Sequence, residues 1–257
     1  MPKIISVHSF RGGTGKSGLI ASLAAVLATK GEDGSRVGAI DIDIQSPGVH
    51  VLFGWDGQQP TYALNHYLWG SCSIEETAYD VSSSLGEAAK RNSYLALIPS
   101  SMATQDIARI LREGFDFILL HEGFQRLVAS LNLDYLLIDT HPGVNEETLF
   151  ALTVSDELIV LLRADSQDFQ GTAVTIDLAR QLEVPQIQLV FNQVLPNIDV
   201  SVLKREAEAS YGAKVIAALP YQEEVAAFAS SGLFFVKYPD HPYSREIVAI
   251  ADQLSEV

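Results

Sequence analysis

The chain has 257 residues, 47% of them hydrophobic, and this length fits one α/β domain with a large core spanning residues 1–257. Its 17 Lys and Arg against 32 Asp and Glu give a net charge of −15, which disfavours broad DNA binding and leaves open only a small non-specific DNA patch formed across a dimer. One cysteine, Cys72, excludes an internal disulfide framework, and the lack of a signal peptide and of any apolar run of ~18 residues predicts a cytoplasmic protein.

The first predicted strand, Lys3–Ser9, leads into a glycine-rich loop and a helical pattern with leucines at every fourth position from Leu19. The loop and the start of the helix have the sequence Phe10-Arg11-Gly12-Gly13-Thr14-Gly15-Lys16-Ser17-Gly18. Strand, glycine-rich loop and helix in this order form a phosphate cradle, because glycines let backbone N–H groups turn towards phosphate oxygens. The predicted nucleotide-binding residues of this loop are Gly12, Gly13, Thr14, Gly15, Lys16, Ser17 and Gly18. We therefore expect a nucleotide-binding protein, with Lys16 on the β- and γ-phosphates and the Ser17 hydroxyl on Mg²⁺.

Short apolar runs then alternate with helical patterns along the rest of the chain. The further predicted strands are Arg36–Asp41, Tyr94–Ile98, Tyr135–Asp139, Leu158–Leu162, Ile187–Phe191 and Lys214–Leu219. The clearest helical patterns between them are Thr104–Arg112, Gly171–Leu182 and Ser201–Ser210. This alternation predicts right-handed βαβ units and a doubly wound, mostly parallel α/β sheet flanked by helices, the fold of P-loop NTPases.

The segment Gly54–Asn92 is the least regular part of the chain, and we expect short helices there within the same domain. Its run Ser73–Glu76 fits a capping box. Its aromatic side chains Tyr62, Tyr67 and Trp69 are interpreted as packing residues rather than as a partner surface, since most large apolar side chains are used for packing.

Carboxylates follow two of the predicted strands at the edge where parallel α/β sheets bind ligands. Asp41 ends one strand and Asp43 comes two residues later, so strand alternation places both on the same side. Asp139 ends another strand and is followed by Thr140-His141-Pro142-Gly143. Paired carboxylates at this edge can hold Mg²⁺ through waters and orient an attacking water. We interpret His141 as a solvent-facing loop side chain.

The double glycine preceded by a cation resembles the deviant P-loop of the ParA/MinD family of ATPases, Lys-Gly-Gly-x-Gly-Lys-Ser/Thr, and the resemblance covers nearly the whole chain. In that family the first lysine reaches across an ATP-bridged dimer to the partner's phosphates. Arg11 stands at this position and keeps the charge on a planar group with five donors. Two other residues depart from the pattern: Phe10 replaces the first glycine of the strict P-loop, and Gly18 replaces a second hydroxyl residue near the α-phosphate.

The resemblance implies roles for the carboxylates and for the loop after Asp139. Asp41 would support the metal, Asp43 would position the hydrolytic water, and Asp139 would bind a water of the Mg²⁺ shell. The loop Thr140–Gly143 would sense the γ-phosphate and change shape on hydrolysis. Lys16, Asp43 and Arg11 are thereby the predicted catalytic residues, and Ser17, Asp41 and Asp139 the predicted metal residues.

The resemblance also implies a site for the base of ATP. Asn192 would hydrogen-bond the adenine edge, because an amide offers both a donor and an acceptor. The turn that contains Pro220 and Tyr221 would close over the base. The terminal segment, Ala226–Ile250, is more similar to MinD than to ParA, but the last predicted helix, Ser244–Val257, lacks the basic face of a membrane-binding helix. We therefore expect its apolar stripe to pack in the core.

A member of this family would be a homodimer in the ATP state and would act as a nucleotide switch in the positioning or partitioning of a cargo. Its slow, Mg²⁺-dependent hydrolysis would be stimulated by a protein partner. Two alternatives stay open: a small-molecule ATP-dependent ligase or synthetase on the same fold, and a nucleotide-binding scaffold with little hydrolysis. The cysteine count excludes iron–sulfur carriers and relatives of the nitrogenase iron protein.

Overall fold

A computed structural model describes residues 2–55 and 60–255. In these ranges eight strands form one sheet, and their bounds are β1 Lys3–His8, β2 Arg36–Asp41, β3 Tyr79–Asp80, β4 Tyr94–Ile98, β5 Tyr135–Asp139, β6 Glu157–Leu162, β7 Gln186–Val194 and β8 Lys214–Pro220. Their spatial order is β3-β4-β2-β5-β1-β6-β7-β8. All neighbouring strands are parallel except β3, which pairs antiparallel with β4 at the edge. The predicted doubly wound, mostly parallel α/β fold is confirmed.

The same ranges contain α1 Lys16–Ala28, α2 Val49–Leu52, α3 Leu64–Leu68, α4 Thr104–Glu113, α5 Phe117–Ser130, α6 Glu146–Val154, α7 Ser166–Gln181, α8 Val200–Tyr211, α9 Glu223–Phe228, α10 Phe234–Lys237 and α11 Pro242–Ser255. They cover both faces of the sheet. In β5, Leu137 packs in the cluster that contains α1 and α11, whereas Leu136 and Ile138 pack in the cluster that contains α5. Strand alternation therefore separates two cores, one on each face of the sheet.

Every predicted strand and helical pattern is present, with shifted ends at several of them. Helix α7 begins earlier than predicted because Asp165 caps it, accepting hydrogen bonds from the backbone N–H groups of Gln167 and Asp168. In the irregular segment, Glu76 accepts from the backbone N–H of Ser73 at 2.8 Å, which is one half of the predicted capping box. The predicted packing role of the aromatic side chains there is confirmed for Tyr67, which is buried and donates to the carbonyl of Leu119.

Helix α1 is buried on nearly all sides, and not only along its leucine face. Leu23 and Ala24 are both fully buried although they lie on different sides of the helix. Helix α11 packs against the outer side of α1, where Ile247, Ile250 and Leu254 are buried. The predicted core role of the last helix is therefore confirmed for its described part, while residues 256–257 of that prediction lie outside the described residues.

Two lysines fasten the end of α11 to the rest of the fold. Lys3 Nζ donates to the carbonyl of Leu254 at 2.9 Å, and Lys30 Nζ donates to the carbonyl of Ala251 at 3.0 Å. Cations at a helix C-terminus satisfy its free carbonyls and complement its dipole. None of the helices within the described ranges combines the length and hydrophobicity that a membrane-spanning segment requires.

The start of the glycine-rich loop is wedged against α7. The ring of Phe10 lies so close to Gly171 that a Cβ built on that glycine would be 2.1 Å from Cδ1 of the ring. No real Cβ tolerates such a contact, because it lies far inside the van der Waals distance. Glycine at position 171 therefore lets the loop and α7 approach each other.

We expect Ile250→Ala to lower the free energy of unfolding by about 2–5 kcal/mol, because it leaves a cavity between α11 and α1. Urea denaturation measures the loss. The control is Leu111→Ala on α4, where the side chain is 60% exposed, and there the change should stay within about 0.5 kcal/mol. Equal losses in the two variants would contradict a core role for α11.

The wedge between Phe10 and Gly171 predicts a coupling that a double-mutant cycle can measure. Gly171→Ala should cost about 1–3 kcal/mol more in the parent chain than in the Phe10→Ala background, since only the parent has a ring to displace. The helix propensity gained by the alanine cancels between the two backgrounds. Four urea denaturation curves give the coupling, and a value near zero would refute the wedge.

Candidate functional site

The loop between β1 and α1 has the backbone geometry of an anion cradle. Gly13 and Gly15 have φ angles of 77° and 94°, in the left-handed region that favours glycine. Helix α1 begins at Lys16, and no side chain caps its N-terminus. Its first N–H groups and the positive end of its dipole can therefore hold an anion such as a phosphate group.

Arg11, which the resemblance places across a dimer, is paired within its own chain. Its Nη1 lies 3.5 Å from Oδ1 of Asp165 and 3.6 Å from Oδ1 of Asp168. Arg163 contacts the same two carboxylates at 3.4 and 3.2 Å. The Arg11 side chain is 38% exposed, so solvent weakens these pairs and the guanidinium can exchange partners at little cost.

Asp41 fastens the loop that follows β2. Its Oδ1 accepts from the backbone N–H of Asp43 and its Oδ2 from that of Gly48, each at 3.0 Å. Burial, together with the neighbouring carboxylate of Asp139, raises the pKa of Asp41 well above its usual range. Both oxygens of this predicted metal residue are therefore engaged by the backbone of its own loop.

Asp139 lies beside Asp41, because the two residues are register partners on β5 and β2. The hydroxyl of Ser17 donates to Oδ2 of Asp139 at 2.6 Å. The other oxygen, Oδ1, is buried and has no hydrogen-bond partner in the described part of the chain. Burial raises the pKa of Asp139 to about 6, against the opposing effects of Lys16 and of the bond from Ser17.

These side chains fit a magnesium ion that is bound together with phosphate. Among residues 2–55 and 60–255, no group of three or more His, Cys, Asp or Glu side chains is arranged to hold a metal ion alone. Mg²⁺ rarely needs such a group, since one or two protein side chains, phosphate oxygens and waters complete its octahedron. Ser17 offers a hydroxyl oxygen as a ligand, and the unpartnered Oδ1 of Asp139 can accept a hydrogen bond from a water of the Mg²⁺ shell.

The interpretation of His141 as a solvent-facing side chain is wrong. Its Nδ1 lies 2.7 Å from Oδ1 of Asp43, and its side chain is only 24% exposed. The physical reason is that the turn after β5 folds back over the glycine-rich loop, where the N–H of Gly143 donates to the carbonyl of Ser9. This turn places His141 against the loop after β2 rather than in solvent.

His8 is a site residue that the sequence analysis missed, although its place at the end of β1, directly before the cradle, is a usable signal. Thr140 Oγ1 donates to the carbonyl of Val7 at 3.0 Å and therefore accepts from His8 Nδ1 at 2.8 Å. Burial, and then the charge of Lys16, lower the pKa of His8 to about 3. A neutral His8 thus anchors the turn that carries His141.

The residues predicted to hold the base converge on a cavity of about 270 Å³ beside the cradle. It is lined by the three residues proposed to hold the base, Asn192, Pro220 and Tyr221, by Gly15 and Gly18 of the cradle, and by Gln193, Gln222, Val225, Ala226, Ala229 and Tyr243. Asn192 Nδ2 donates to the carbonyl of Thr14 at 2.8 Å, and a Cβ on Gly15 would lie 2.5 Å from that nitrogen. A Cβ on Gly18 would meet nothing within 4 Å, so the missing hydroxyl side chain leaves open space. The residues after Tyr221 were missed because no motif marks them.

Comparison with known proteins identifies the family of this chain. Residues 2–190 match the AAA_31 family model, which describes an AAA domain. An uncharacterized ATP-binding protein of Methanocaldococcus jannaschii is 26% identical over 251 residues, covering 97% of this chain and 86% of that protein. An iron–sulfur cluster carrier protein of Saccharolobus solfataricus is 26% identical over 275 residues, covering 98% of this chain and 83% of that protein. The exclusion of an iron–sulfur role on the cysteine count therefore stays a prediction.

Solved structures show the same fold at low sequence identity. MinD of Pyrococcus horikoshii complexed with Mg-ADP has a TM-score of 0.79 and 20% identity, covering 100% of this chain and 97% of that chain. The MinC:MinD cell division protein complex of Aquifex aeolicus contains a chain with a TM-score of 0.76 and 19% identity, covering 98% of this chain and 95% of that chain. The chain therefore belongs to the AAA_31 family of AAA domains, and it has the fold of the ParA/MinD-like proteins.

Proposed function

We propose that this chain binds ATP with Mg²⁺, dimerises around it and hydrolyses it slowly, and that it acts as a nucleotide switch in the spatial positioning of a cargo. The observation that carries the proposal is the convergence of Lys16, Ser17, Asp139 and Asp43 at the carboxyl edge of the sheet, where α1 begins. An ATP-binding relative supports the nucleotide, and the fold shared with MinD, a cell division protein, supports the positioning role.

The cradle would hold the triphosphate through the backbone N–H groups of Gly12–Gly18 and the ammonium of Lys16. Ser17 can donate its hydroxyl hydrogen to Asp139 and still offer an oxygen lone pair to a metal, because a hydroxyl is both donor and acceptor. Asp139 would act through a metal-bound water on its buried Oδ1. Bound Mg²⁺ would neutralise charge on the β- and γ-phosphates. Asp41, with both oxygens engaged, would support this site by holding the loop after β2.

The base of ATP would occupy the cavity beside the cradle. The amide of Asn192 has two N–H donors, and its bond to Thr14 uses one of them. The second remains for an acceptor on the adenine edge. Tyr221 is 44% exposed, so it can move over the base without unfolding its surroundings, and Pro220 fixes the turn before it.

Asp43 would orient the attacking water. One of its oxygens, Oδ1, accepts from both His141 and the backbone N–H of Ser46, at 2.7 and 3.0 Å. The other oxygen, Oδ2, would accept a hydrogen bond from the attacking water. Attack would form a new oxygen–phosphorus bond and break the bond from the γ-phosphorus to the bridging oxygen, which gives ADP and phosphate. One proton of the water would stay on the phosphate, and the other would be released.

Dimerisation would move Arg11 from its own chain to the partner's phosphates. When Arg11 leaves, the buried Asp168 keeps Arg163 as a counter-ion at Oδ2, and solvent can compensate Asp165, whose side chain is 41% exposed. A guanidinium at this position would clamp phosphate oxygens through paired N–H donors. The strongly acidic chain favours a protein partner that stimulates hydrolysis over DNA or a membrane surface.

The two alternative functions fit the site less well. A scaffold without hydrolysis has no use for the fixed Asp43 carboxylate, and a ligase or synthetase needs a small-molecule substrate beside the nucleotide. An iron–sulfur role would rest on Cys72, which packs partly into the core below α5, and burial raises the pKa of its thiol. Consumption of ATP only in the presence of a small carboxylate would favour the ligase.

Lys16→Ala should lower the rate of phosphate release by about 10²–10³-fold, because the γ-phosphate loses its cationic partner. Phosphate release in ATP and Mg²⁺ measures the effect. Lys204→Ala on α8 is the charge-matched control and should behave as the parent. Unchanged release in Lys16→Ala would refute the assignment of the cradle.

Asp43→Ala should trap an ATP-bound dimer, because binding survives while the water loses its partner and turnover falls about 10²–10⁴-fold. Light-scattering mass in ATP–Mg²⁺ and in ADP–Mg²⁺, with phosphate release on the same sample, tests both parts. The parent should shift from a 27.9 kDa monomer in ADP towards twice that mass in ATP. Asp177→Ala on the exposed side of α7 is the control. Parental turnover in Asp43→Ala would remove the water role of Asp43, and a nucleotide-independent monomer would favour the scaffold.

A further inference from the structure

We propose that His141 is a positioning residue for ATP hydrolysis, holding the carboxylate of Asp43 so that one oxygen faces the attacking water. This inference rests on the proposed function, in which Asp43 orients that water. It depends on the contact between the loop that follows β2 and the loop that follows β5. It also depends on the hydrogen bonds that hold the loop after β5 in place.

The hydrogen bond from His141 fixes one oxygen of Asp43. An ionised carboxylate only accepts, so the 2.7 Å contact with Asp43 Oδ1 assigns the hydrogen to Nδ1 of His141. The backbone N–H of Ser46 donates to the same oxygen at 3.0 Å. Within residues 2–55 and 60–255, no hydrogen bond reaches Oδ2 of Asp43. Two donors on one oxygen therefore set the rotation of the carboxylate and leave the other oxygen for water.

The turn that carries His141 is itself fastened on both sides of the histidine. Before it, Thr140 is held by Val7 and His8 at the end of β1. At the histidine itself, the hydroxyl of Thr148 is shared between the carbonyls of His141 and Gly143, at 3.2 and 3.1 Å. After it, the N–H of Gly143 donates to the carbonyl of Ser9. The imidazole is thus presented from a fixed backbone, which is what an orienting group requires.

The position of this backbone links Asp43 to the phosphate cradle. Val7 and His8 end β1, and Ser9 leads from them into the glycine-rich loop, so the turn with His141 is hydrogen-bonded to the segment that enters the cradle. Asp43 belongs to a different loop, whose own anchor is Asp41 on β2. His141 is therefore the side chain that sets the water-orienting carboxylate relative to the γ-phosphate.

The same geometry allows one competing role, in which Asp43 orients His141 and the free Nε2 accepts the proton of the water. The two roles make opposite demands on the side chain at position 141. A positioning residue needs only an N–H donor near the place of Nδ1, which asparagine supplies. A base needs the second ring nitrogen, which asparagine lacks.

The experiment measures kcat and KM for ATP in the full chain with His141→Ala, His141→Asn and Asp43→Ala, together with the affinity for a fluorescent ATP analogue. His141→Ala should lower kcat about 10–100-fold, the usual cost of losing an orienting hydrogen bond. Its KM and its analogue affinity should stay within about twofold of the parent, because the cradle is intact. His141→Asn should recover most of the lost kcat. His121→Ala, on α5, is the control and should leave all three values unchanged, because the hydrogen bond of its ring within the described residues is to Gln125 of the same helix.

Retained analogue affinity shows that each variant is folded. Parental kcat in His141→Ala, with Asp43→Ala inactive, would overturn the positioning role and leave the proposed function standing. Equal losses in His141→Asn and His141→Ala would overturn it in favour of a base. Parental kcat in Asp43→Ala would instead contradict the proposed function itself, and this arm separates the two failures.

Discussion

Two buried carboxylates, Asp41 and Asp139, lie side by side on adjacent strands, and the structure around them depends on stabilising this pair. Burial raises the pKa of each, and the charge of Asp139 raises that of Asp41 further. Such a pair is costly unless each member finds donors or a cation. Asp41 takes its donors from the backbone of the loop after β2, and Asp139 takes a hydroxyl from Ser17 while Lys16 lowers its pKa. The need to stabilise these two carboxylates therefore accounts for the hydrogen bonds within that loop and for the bond from the first turn of α1. It also favours a cation beside Asp139.

The sheet was largely predictable because its inner strands are buried on both faces. Such strands appear in the sequence as nearly continuous apolar runs between polar residues, and β2, β4 and β5 begin and end where those runs do. The two-residue edge strand β3 could not be predicted this way, because it has no periodicity and exists only through its pairing with β4. Helix α5 was missed despite a usable signal, since Asp116 is an N-cap that accepts hydrogen bonds from the backbone N–H groups of Ile118 and Leu119.

In the site, too, features encoded by short motifs were predictable, whereas contacts between residues far apart in the sequence were not. The cradle and the three aspartates were predictable, because a short motif defines the first and strand register brings the others to one edge. The partners of Arg11 and His141 were not. Arg11 meets Asp165 at the N-terminus of α7, and His141 meets Asp43 on the loop of another strand. Both contacts depend on how separate loops fold over the edge of the sheet, and residue spacing along the chain does not predict that folding.

The close approach of Phe10 and Gly171 has a consequence for the evolution of this sequence. At the observed separation of loop and helix, an aromatic ring at position 10 leaves no room for a Cβ at position 171. Substitutions at these positions should therefore covary among homologues: an aromatic residue before the double glycine should accompany glycine in α7, and a small residue there should free that helix position to vary. A strict P-loop has glycine at the first position, where no ring would press on the helix.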